Sequence, residues 1–191
     1  MKFGKFYSSK VDHHILENLD AEYKKNFDIL VKESNEGSWS KKQKKVQKAS
    51  ILSNIALYRT FLEFDVPKEE AVELVRERAN HKARKLNNIL KKFFRFPKFS
   101  KLFRFMMKKT MSGTEIWKIK ILENNEKRYV FDVNKCLWAD TCAHFECLEL
   151  CEVFCLSDHI IFGDINKMEF ERSQTLGMNG EKCDFCFKFK K

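Results

Sequence analysis

The sequence predicts an α+β protein in which N-terminal helices pack on a C-terminal antiparallel sheet of about four strands. Up to about residue 111, apolar residues recur at steps of three and four, the period of one helical face. After Ser112-Gly113 the period changes to two, as in half-buried strands. Helices followed by strands are typical of the α+β class.

Length and composition favour a single domain over 1–191. It would have a helical half over 1–111 and a sheet-bearing half over 112–191 that holds the predicted site. With 43% hydrophobic residues and 19 Phe, such a chain can bury a core without disulfides. No signal-like N-terminus and no window of about 20 apolar residues is visible, so we expect a cytoplasmic protein.

Four helices are predicted in the first half. The first runs from Val11 to Glu33. Ser40 can cap a second helix that continues through Glu63. The third starts at about Pro67, a residue that suits a first helical position, and ends near Phe94. Pro97 then opens a shorter amphipathic helix.

The second half is predicted to contain four strands and one short helix. Ile116–Leu122 and Arg128–Cys136 alternate and flank a turn, so they form a plausible hairpin. Ala143–Cys151 is predicted to be helical. Met168–Leu176 and Cys183–Lys190 are the third and fourth strands.

All seven cysteines lie in the last third of the chain: Cys136, Cys142, Cys147, Cys151, Cys155, Cys183 and Cys186. An odd number without a signal peptide favours reduced thiols in the cytosol over a secreted disulfide framework. The thiols could form a reactive site, a metal site, or a set of small buried residues. Other candidate groups near them in the sequence are Asp158, Arg172, Thr175 and Asp184.

Three ordered motifs resemble the L-2-amino-thiazoline-4-carboxylic acid hydrolase family. They are an FCxxD segment at Phe154–Asp158, an RxxTL segment at Arg172–Leu176, and a closing GxxCDFxF strand at Gly180–Phe187. Cys136 falls where the family has its first cysteine. The chain departs from the family at Cys186, where relatives usually carry Arg.

The resemblance implies a hydrolase-like protein that adds water to an amidine-like ring carbon, after which a carbon–sulfur bond breaks to give an N-carbamoyl cysteine. Such chemistry needs a nucleophile, a proton acceptor and a group that holds the substrate carboxylate. We hypothesise that Cys155 or Cys183 is the thiol, Asp158 the base and Arg172 the anchor. The other predicted substrate-binding residues are Thr175, Cys136 and Asp184. No cofactor is implied, and the predicted partner is a small-molecule substrate.

Less specific interpretations stay open. Arg172 could pair only with Asp184 or Glu169, and Asp158 could be a helix cap. The protein could be a non-catalytic small-ligand or partner-binding domain of the same fold. A cysteine-ligated metal is a further alternative, because Cys183 and Cys186 have zinc-like spacing. Cys147, Cys151 and Cys155 could also line one helical face with His144 near. Cys183 and Cys186 lie three apart on a strand, however, and should face opposite sides, which argues against chelation.

The net charge of +10 is concentrated in one segment. Residues 76–109 carry 13 Lys/Arg and one acid, interleaved with six Phe. Such a mixture suits an anionic membrane surface or a nucleic acid. The sequence favours neither partner over the simpler expectation that the rings face the core and the cations face water.

Overall fold

A computed structural model describes residues 3–190. The chain divides into two compact units between Arg78 and Ala79. The predicted α+β class is confirmed: helices make up the N-terminal part, and a four-stranded antiparallel sheet lies in the C-terminal part. No helix among the described residues is long and apolar enough to cross a membrane.

The first unit is helical. Its elements are α1 (Gly4–Tyr7), α2 (His13–Glu36), α3 (Lys41–Val46), a π-helical turn (Gln47–Ile51), α4 (Leu52–Glu63), and the beginning of α5 (Lys68–Phe93), which continues into the second unit. The predicted cap at Ser40 is confirmed, because its side chain accepts from the Gln43 backbone while the Gln43 side chain accepts from the Ser40 backbone. The helices of this unit pack through buried apolar residues of α4, including Ile55, Leu57 and Phe61.

The second unit holds the sheet. After α5 come α6 (Phe99–Thr110), β1 (Trp117–Asn124), β2 (Arg128–Cys136), α7 (Leu137–His144), α8 (Glu149–Phe162), β3 (Met168–Glu171), a 3-10 turn (Leu176–Met178) and β4 (Cys183–Phe189). The strand order is β1-β2-β4-β3. All neighbouring strands are antiparallel, and Phe131 pairs with Phe185 across β2 and β4.

The core of the second unit is aromatic. Alternate residues of β2 and β4 face one side of the sheet and are buried: Tyr129, Phe131, Val133, Cys183, Phe185 and Phe187. The same alternation puts Cys186 on the opposite side of β4 from Cys183, as predicted. We call the buried side the inner face and the other side the outer face. Phe103 of α6 and Phe162 of α8 both make ring contacts with Phe187. These two helices therefore cover the inner face of the sheet.

The prediction of one short helix over Ala143–Cys151 is wrong, because two helices occupy Leu137–His144 and Glu149–Phe162. The first ends where Glu146 adopts a left-handed conformation with φ of 55°. The second is so rich in apolar residues that its sequence shows no clear period of one face.

The third strand is shorter than predicted and ends at Glu171. The backbone N–H groups of Ser173 and Gln174 donate to the Asp184 carboxylate. Because these two N–H groups bond a side chain, they do not continue the backbone hydrogen bonds of the sheet, and β3 ends before them.

Candidate active site

Arg172 is the centre of the predicted site. It follows β3, and its side chain is only 2% exposed. One terminal nitrogen donates to Asp158 Oδ2 at 2.7 Å, and the other donates to the carbonyl oxygen of Cys155. The guanidinium also lies over the ring of Phe185, 5.1 Å from the ring centroid. Arg172 therefore joins the end of β3 to α8, and the predicted alternative pairings with Asp184 or Glu169 are wrong.

Asp158 lies one helical turn after Cys155 on α8, as its spacing of three residues predicted. Burial raises the pKa of this carboxyl to about 6, although the positive charge and the hydrogen bond of Arg172 act in the opposite direction. A carboxyl with such a pKa changes its protonation near neutral pH, as a general base must.

The thiols of α7, α8 and the segment between them form a row that is buried except at the half-buried Cys155. Cys142 and Cys155 both hydrogen-bond to Cys151, and Cys142 also bonds to Cys147. Two thiol donors on one sulfur favour the anion there, so the pKa of Cys151 is lowered. The pKa of Cys142 and of Cys155 is raised, because each donates to a neighbouring thiol and both are desolvated.

Cys183 approaches the same region from the inner face of β4. Its sulfur accepts from the backbone N–H of Leu176 at 3.3 Å. Burial raises the pKa of Cys183, while Arg172 lowers it and Asp158 raises it. The site therefore contains Cys155, Asp158, Arg172 and Cys183 within electrostatic range of one another.

Cys136 lies at the end of β2, where α7 begins. Burial raises the pKa of this thiol to about 12, despite the backbone N–H groups of Ala139 and Trp138, which lower it. Negative charge on Cys183 and Cys151 raises it further. Cys136 is thus within electrostatic range of Cys183 and Cys151, but its thiol stays protonated at neutral pH.

Thr175 and Gly177 complete the site between β3 and β4. Thr175 is 4% exposed, and its hydroxyl oxygen has no hydrogen-bond partner of normal geometry, although its proximity lowers the pKa of the Cys155 thiol. A Cβ atom at Gly177 would lie 2.4 Å from Cys151 Sγ and 2.9 Å from Cys155 Sγ. Glycine therefore lets the 3-10 turn approach the thiols closely.

Asp184 does not join these groups. It lies on the outer face, where its carboxylate accepts hydrogen bonds from Ser173 and Gln174 and fixes the turn after β3. These hydrogen bonds lower its pKa against the opposing effect of burial. The Asp184 carboxylate is therefore engaged by two backbone N–H groups and the Ser173 hydroxyl, whereas Arg172 pairs with Asp158.

The outer face carries an open depression of about 610 Å³ that reaches Arg172 at its edge. Its lining includes Asp132, Lys182, Asp184 and His159. Of the seven cysteines, only Cys186 lines it. Arg128 of the neighbouring strand donates to Cys186 Sγ at 3.7 Å, so a guanidinium lies beside the position where the chain is expected to depart from the family motif.

Sequence reasoning did not select Cys151 or Gly177 for the site. Cys151 lies four residues before Cys155 on α8, so a helix over 149–162 would have brought both sulfurs to one face. The position of Gly177 against them depends on tertiary structure and has no local signal. Among residues 3–190, no group of three or more His, Cys, Asp or Glu side chains is arranged to hold a metal ion.

The chain is similar to a known protein family. The family model of L-2-amino-thiazoline-4-carboxylic acid hydrolase matches residues 43–187, most of the chain and all the motif residues described above. No curated protein and no solved structure is significantly similar to the chain. On the extent of the family match, this protein belongs to the L-2-amino-thiazoline-4-carboxylic acid hydrolase family.

Proposed function

We propose that this protein is a hydrolase that opens a small cyclic amidine or thiazoline carboxylate by adding water. The proposal rests on family membership together with one structural observation. A largely desolvated carboxyl with a pKa near neutrality is paired with a buried guanidinium whose Nε has no hydrogen-bond partner. Such spare hydrogen-bonding capacity in a buried place is uncommon and suits a site that receives a polar ligand.

The reaction of 2-aminothiazoline-4-carboxylate illustrates the chemistry. Water adds to the ring carbon between nitrogen and sulfur, and Asp158 accepts a proton from that water. The carbon–sulfur bond then breaks, the carbon becomes the carbonyl of a urea, and the departing sulfur takes up a proton. One water is consumed, and the product is N-carbamoyl cysteine with a new free thiol.

The raised pKa values of Cys155 and Cys183 favour water over the thiolate of either residue as the attacking group. Both side chains are desolvated and remain neutral thiols near pH 7. We assign them to the lining of the site, where a neutral thiol can donate a weak hydrogen bond.

Arg172 has two roles in this proposal. Its terminal nitrogens orient Asp158 and the backbone of Cys155, as their hydrogen bonds indicate. Its Nε is buried and has no partner, so this N–H remains as a donor for the substrate carboxylate. The hydroxyl of Thr175 supplies a second donor close to the thiols.

Turnover of 2-aminothiazoline-4-carboxylate tests the proposal. The protein is incubated with this compound, removed by filtration, and the new low-molecular-weight thiol is quantified and identified by mass. Asp158→Asn should lower kcat/KM by about 100-fold or more, the usual contribution of a general base. Asp140→Asn, which changes a partly exposed carboxylate elsewhere in the same unit, is the matched control and should keep full activity.

Cys155→Ala and Cys183→Ala separate the two routes of attack. Loss of a lining thiol should leave at least a tenth of the turnover, whereas loss of a nucleophile should abolish it. Complete inactivity of either variant, in a protein that remains folded, would contradict attack by water. No turnover by the unmodified chain would contradict the hydrolase proposal for this substrate.

A second candidate is a non-catalytic small-ligand domain of the same fold. It is favoured by the two terminal nitrogens of Arg172, which are already engaged within the protein, and by Cys186 in place of the family's usual Arg. Calorimetric titration with 2-aminothiazoline-4-carboxylate distinguishes the candidates. Saturable binding without formation of free thiol would support the binding domain.

A further inference from the structure

The helical segment before the sheet is strongly basic. Residues 79–111 contain 11 Lys/Arg and no Asp or Glu. Eight of these cations lie between Lys91 and Lys109. Among the described residues, Lys91 alone of these eight is in an ion pair, with Asp164, while Arg104 donates to the amide oxygen of Asn124. Within the described residues, the remaining cations between Lys91 and Lys109 therefore have no acidic partner.

The same stretch exposes large apolar side chains. Phe96 and Phe105 are each 63% exposed, and Phe93, Leu102 and Met106 are 48% exposed. Leu102, Phe105 and Met106 lie at i, i+3 and i+4 on α6 and therefore share one face. The expectation that the rings of this segment all face the core is thus wrong for three of its six Phe residues.

The core does not need these exposed rings. Phe94, Phe99 and Phe103 from the same stretch are already buried, and Phe103 packs on Phe187 with ring centroids 5.3 Å apart. α6 thus has one apolar face against the sheet and a second apolar face toward solvent. We call this second face, with Phe93, Phe96 and the flanking lysines, the basic apolar surface.

We propose that the basic apolar surface docks on an anionic phospholipid membrane. Lys and Arg side chains would lie among the headgroups, while Phe96, Leu102 and Phe105 would enter the interface, as in amphipathic helices that lie in the membrane plane. The charge selects an anionic leaflet, because each cation near such a surface adds a favourable electrostatic contribution. Docking would hold the hydrolase unit at the membrane without a spanning segment.

Lipid explains the surface better than nucleic acid. A nucleic-acid site needs cations for phosphates and can use aromatic rings for stacking, but it has no use for exposed leucine and methionine. The exposed apolar set of α6 contains both, Leu102 and Met106, beside Phe105. This combination of aliphatic and aromatic side chains suits acyl chains.

Vesicle flotation tests the docking. The full-length chain is mixed with vesicles of 70% phosphatidylcholine and 30% phosphatidylserine, and with pure phosphatidylcholine vesicles. We expect flotation with the anionic vesicles only, and a steep loss of binding in 0.5 M NaCl. A labelled single-stranded RNA is tested in parallel.

Two variants separate the apolar and the charged contributions. Phe96→Ala/Phe105→Ala should weaken partitioning onto anionic vesicles at least tenfold. The control variant Leu122→Ala/Leu148→Ala changes two exposed leucines outside the segment and should leave this partitioning unchanged. Lys101→Gln/Lys108→Gln/Lys109→Gln should also weaken it at least tenfold. Its matched control, Lys118→Gln/Lys120→Gln/Lys127→Gln, removes the same charge from exposed positions of the β1–β2 hairpin.

Four results would overturn the proposal. They are absence of flotation with anionic vesicles, equal binding to neutral vesicles, RNA binding in place of lipid binding, and lipid binding that the Phe96→Ala/Phe105→Ala variant leaves unchanged. Because exposed side chains contribute little to folding, both variants should unfold like the unmodified chain. None of the changed residues belongs to the proposed active site, so the test is independent of hydrolase activity.

Discussion

Replacing Asp158 with Asn should remove a pH dependence of stability that arises from burial of this carboxyl. Its pKa is raised from 3.8 to about 6 in the folded protein, because desolvation outweighs the opposing effect of Arg172. In the unfolded chain the carboxyl recovers its ordinary pKa. The folded state therefore binds the proton more tightly than the unfolded state does, and stability is linked to pH.

The sign follows from the order in which the two states ionise. Well below pH 3.8 the carboxyl is protonated in both states, and its favourable contribution to the free energy of unfolding is fully present. As the pH rises from about 4 to 6, the unfolded state loses its proton first, so the free energy of unfolding falls. Above the folded pKa both states are ionised, and the contribution stays lost.

The size of the effect can be bounded. At about 1.36 kcal/mol for each unit of pKa difference, the change from 3.8 to about 6 corresponds to at most about 3 kcal/mol. The Asp158 side chain is 28% exposed, so water moderates the penalty. We expect the stability of the unmodified chain relative to Asp158→Asn to fall by about 2 kcal/mol between pH 4 and pH 7.

Urea unfolding followed by tryptophan fluorescence is a suitable assay. The chain has three tryptophans, and Trp39→Phe leaves Trp117 and Trp138, which stack in the second unit at 5.2 Å. The fluorescence then follows the unit that contains Asp158. Both proteins are measured in this background at half-unit steps of pH.

Burial and Arg172 lower the pKa of His159 from its ordinary value, so this imidazole is a second source of pH dependence. The comparison is therefore repeated with His159→Gln in both proteins, so that a histidine contribution cancels. The decisive quantity is the free energy of unfolding of the protein with Asp158 minus that of the Asp158→Asn variant. If this difference stays constant or rises between pH 4 and 7, burial is not the dominant influence on the pKa of Asp158.

Three further predictions concern packing and capping. Gly177→Ala should destabilise the second unit by about 1–3 kcal/mol in urea unfolding, because the new methyl group would lie 2.4 Å from Cys151 Sγ. Adding Cys151→Ala should recover part of this loss of stability. If the double variant recovers none of it, the contact between residue 177 and Cys151 is not its cause. Phe103→Ala should cost about 3–5 kcal/mol and Phe105→Ala less than about 0.5, because the rings are 3% and 63% exposed; equal losses in thermal unfolding would refute the burial assignment. Ser40→Ala should cost about 1 kcal/mol in the first unit by removing the capping box, whereas Ser40→Asp should retain most of the stability in the same measurement.

Elements with strong local signals could be predicted from the sequence. The period of two over Arg128–Cys136 gave that strand its observed bounds, and the alternation after Cys183 gave the buried and exposed faces of β4. Ser40 was identified as a cap because its signal lies within three residues. α8 was missed because it is apolar on most sides, which removes the period on which sequence interpretation depends.

The sequence by itself determined the α+β class, the family and the chemical inventory of the site, because these depend on periodicity and on motifs that are contiguous in the chain. Only the tertiary structure decided the pairing of Arg172 with Asp158, the approach of Gly177 to Cys151, and the exposure of Phe105. Each of these depends on segments that are distant in sequence. These contacts determine which side chains are buried and which charges lie near them. Burial and nearby charges in turn determine the pKa values of the site residues and the surfaces that remain exposed for binding.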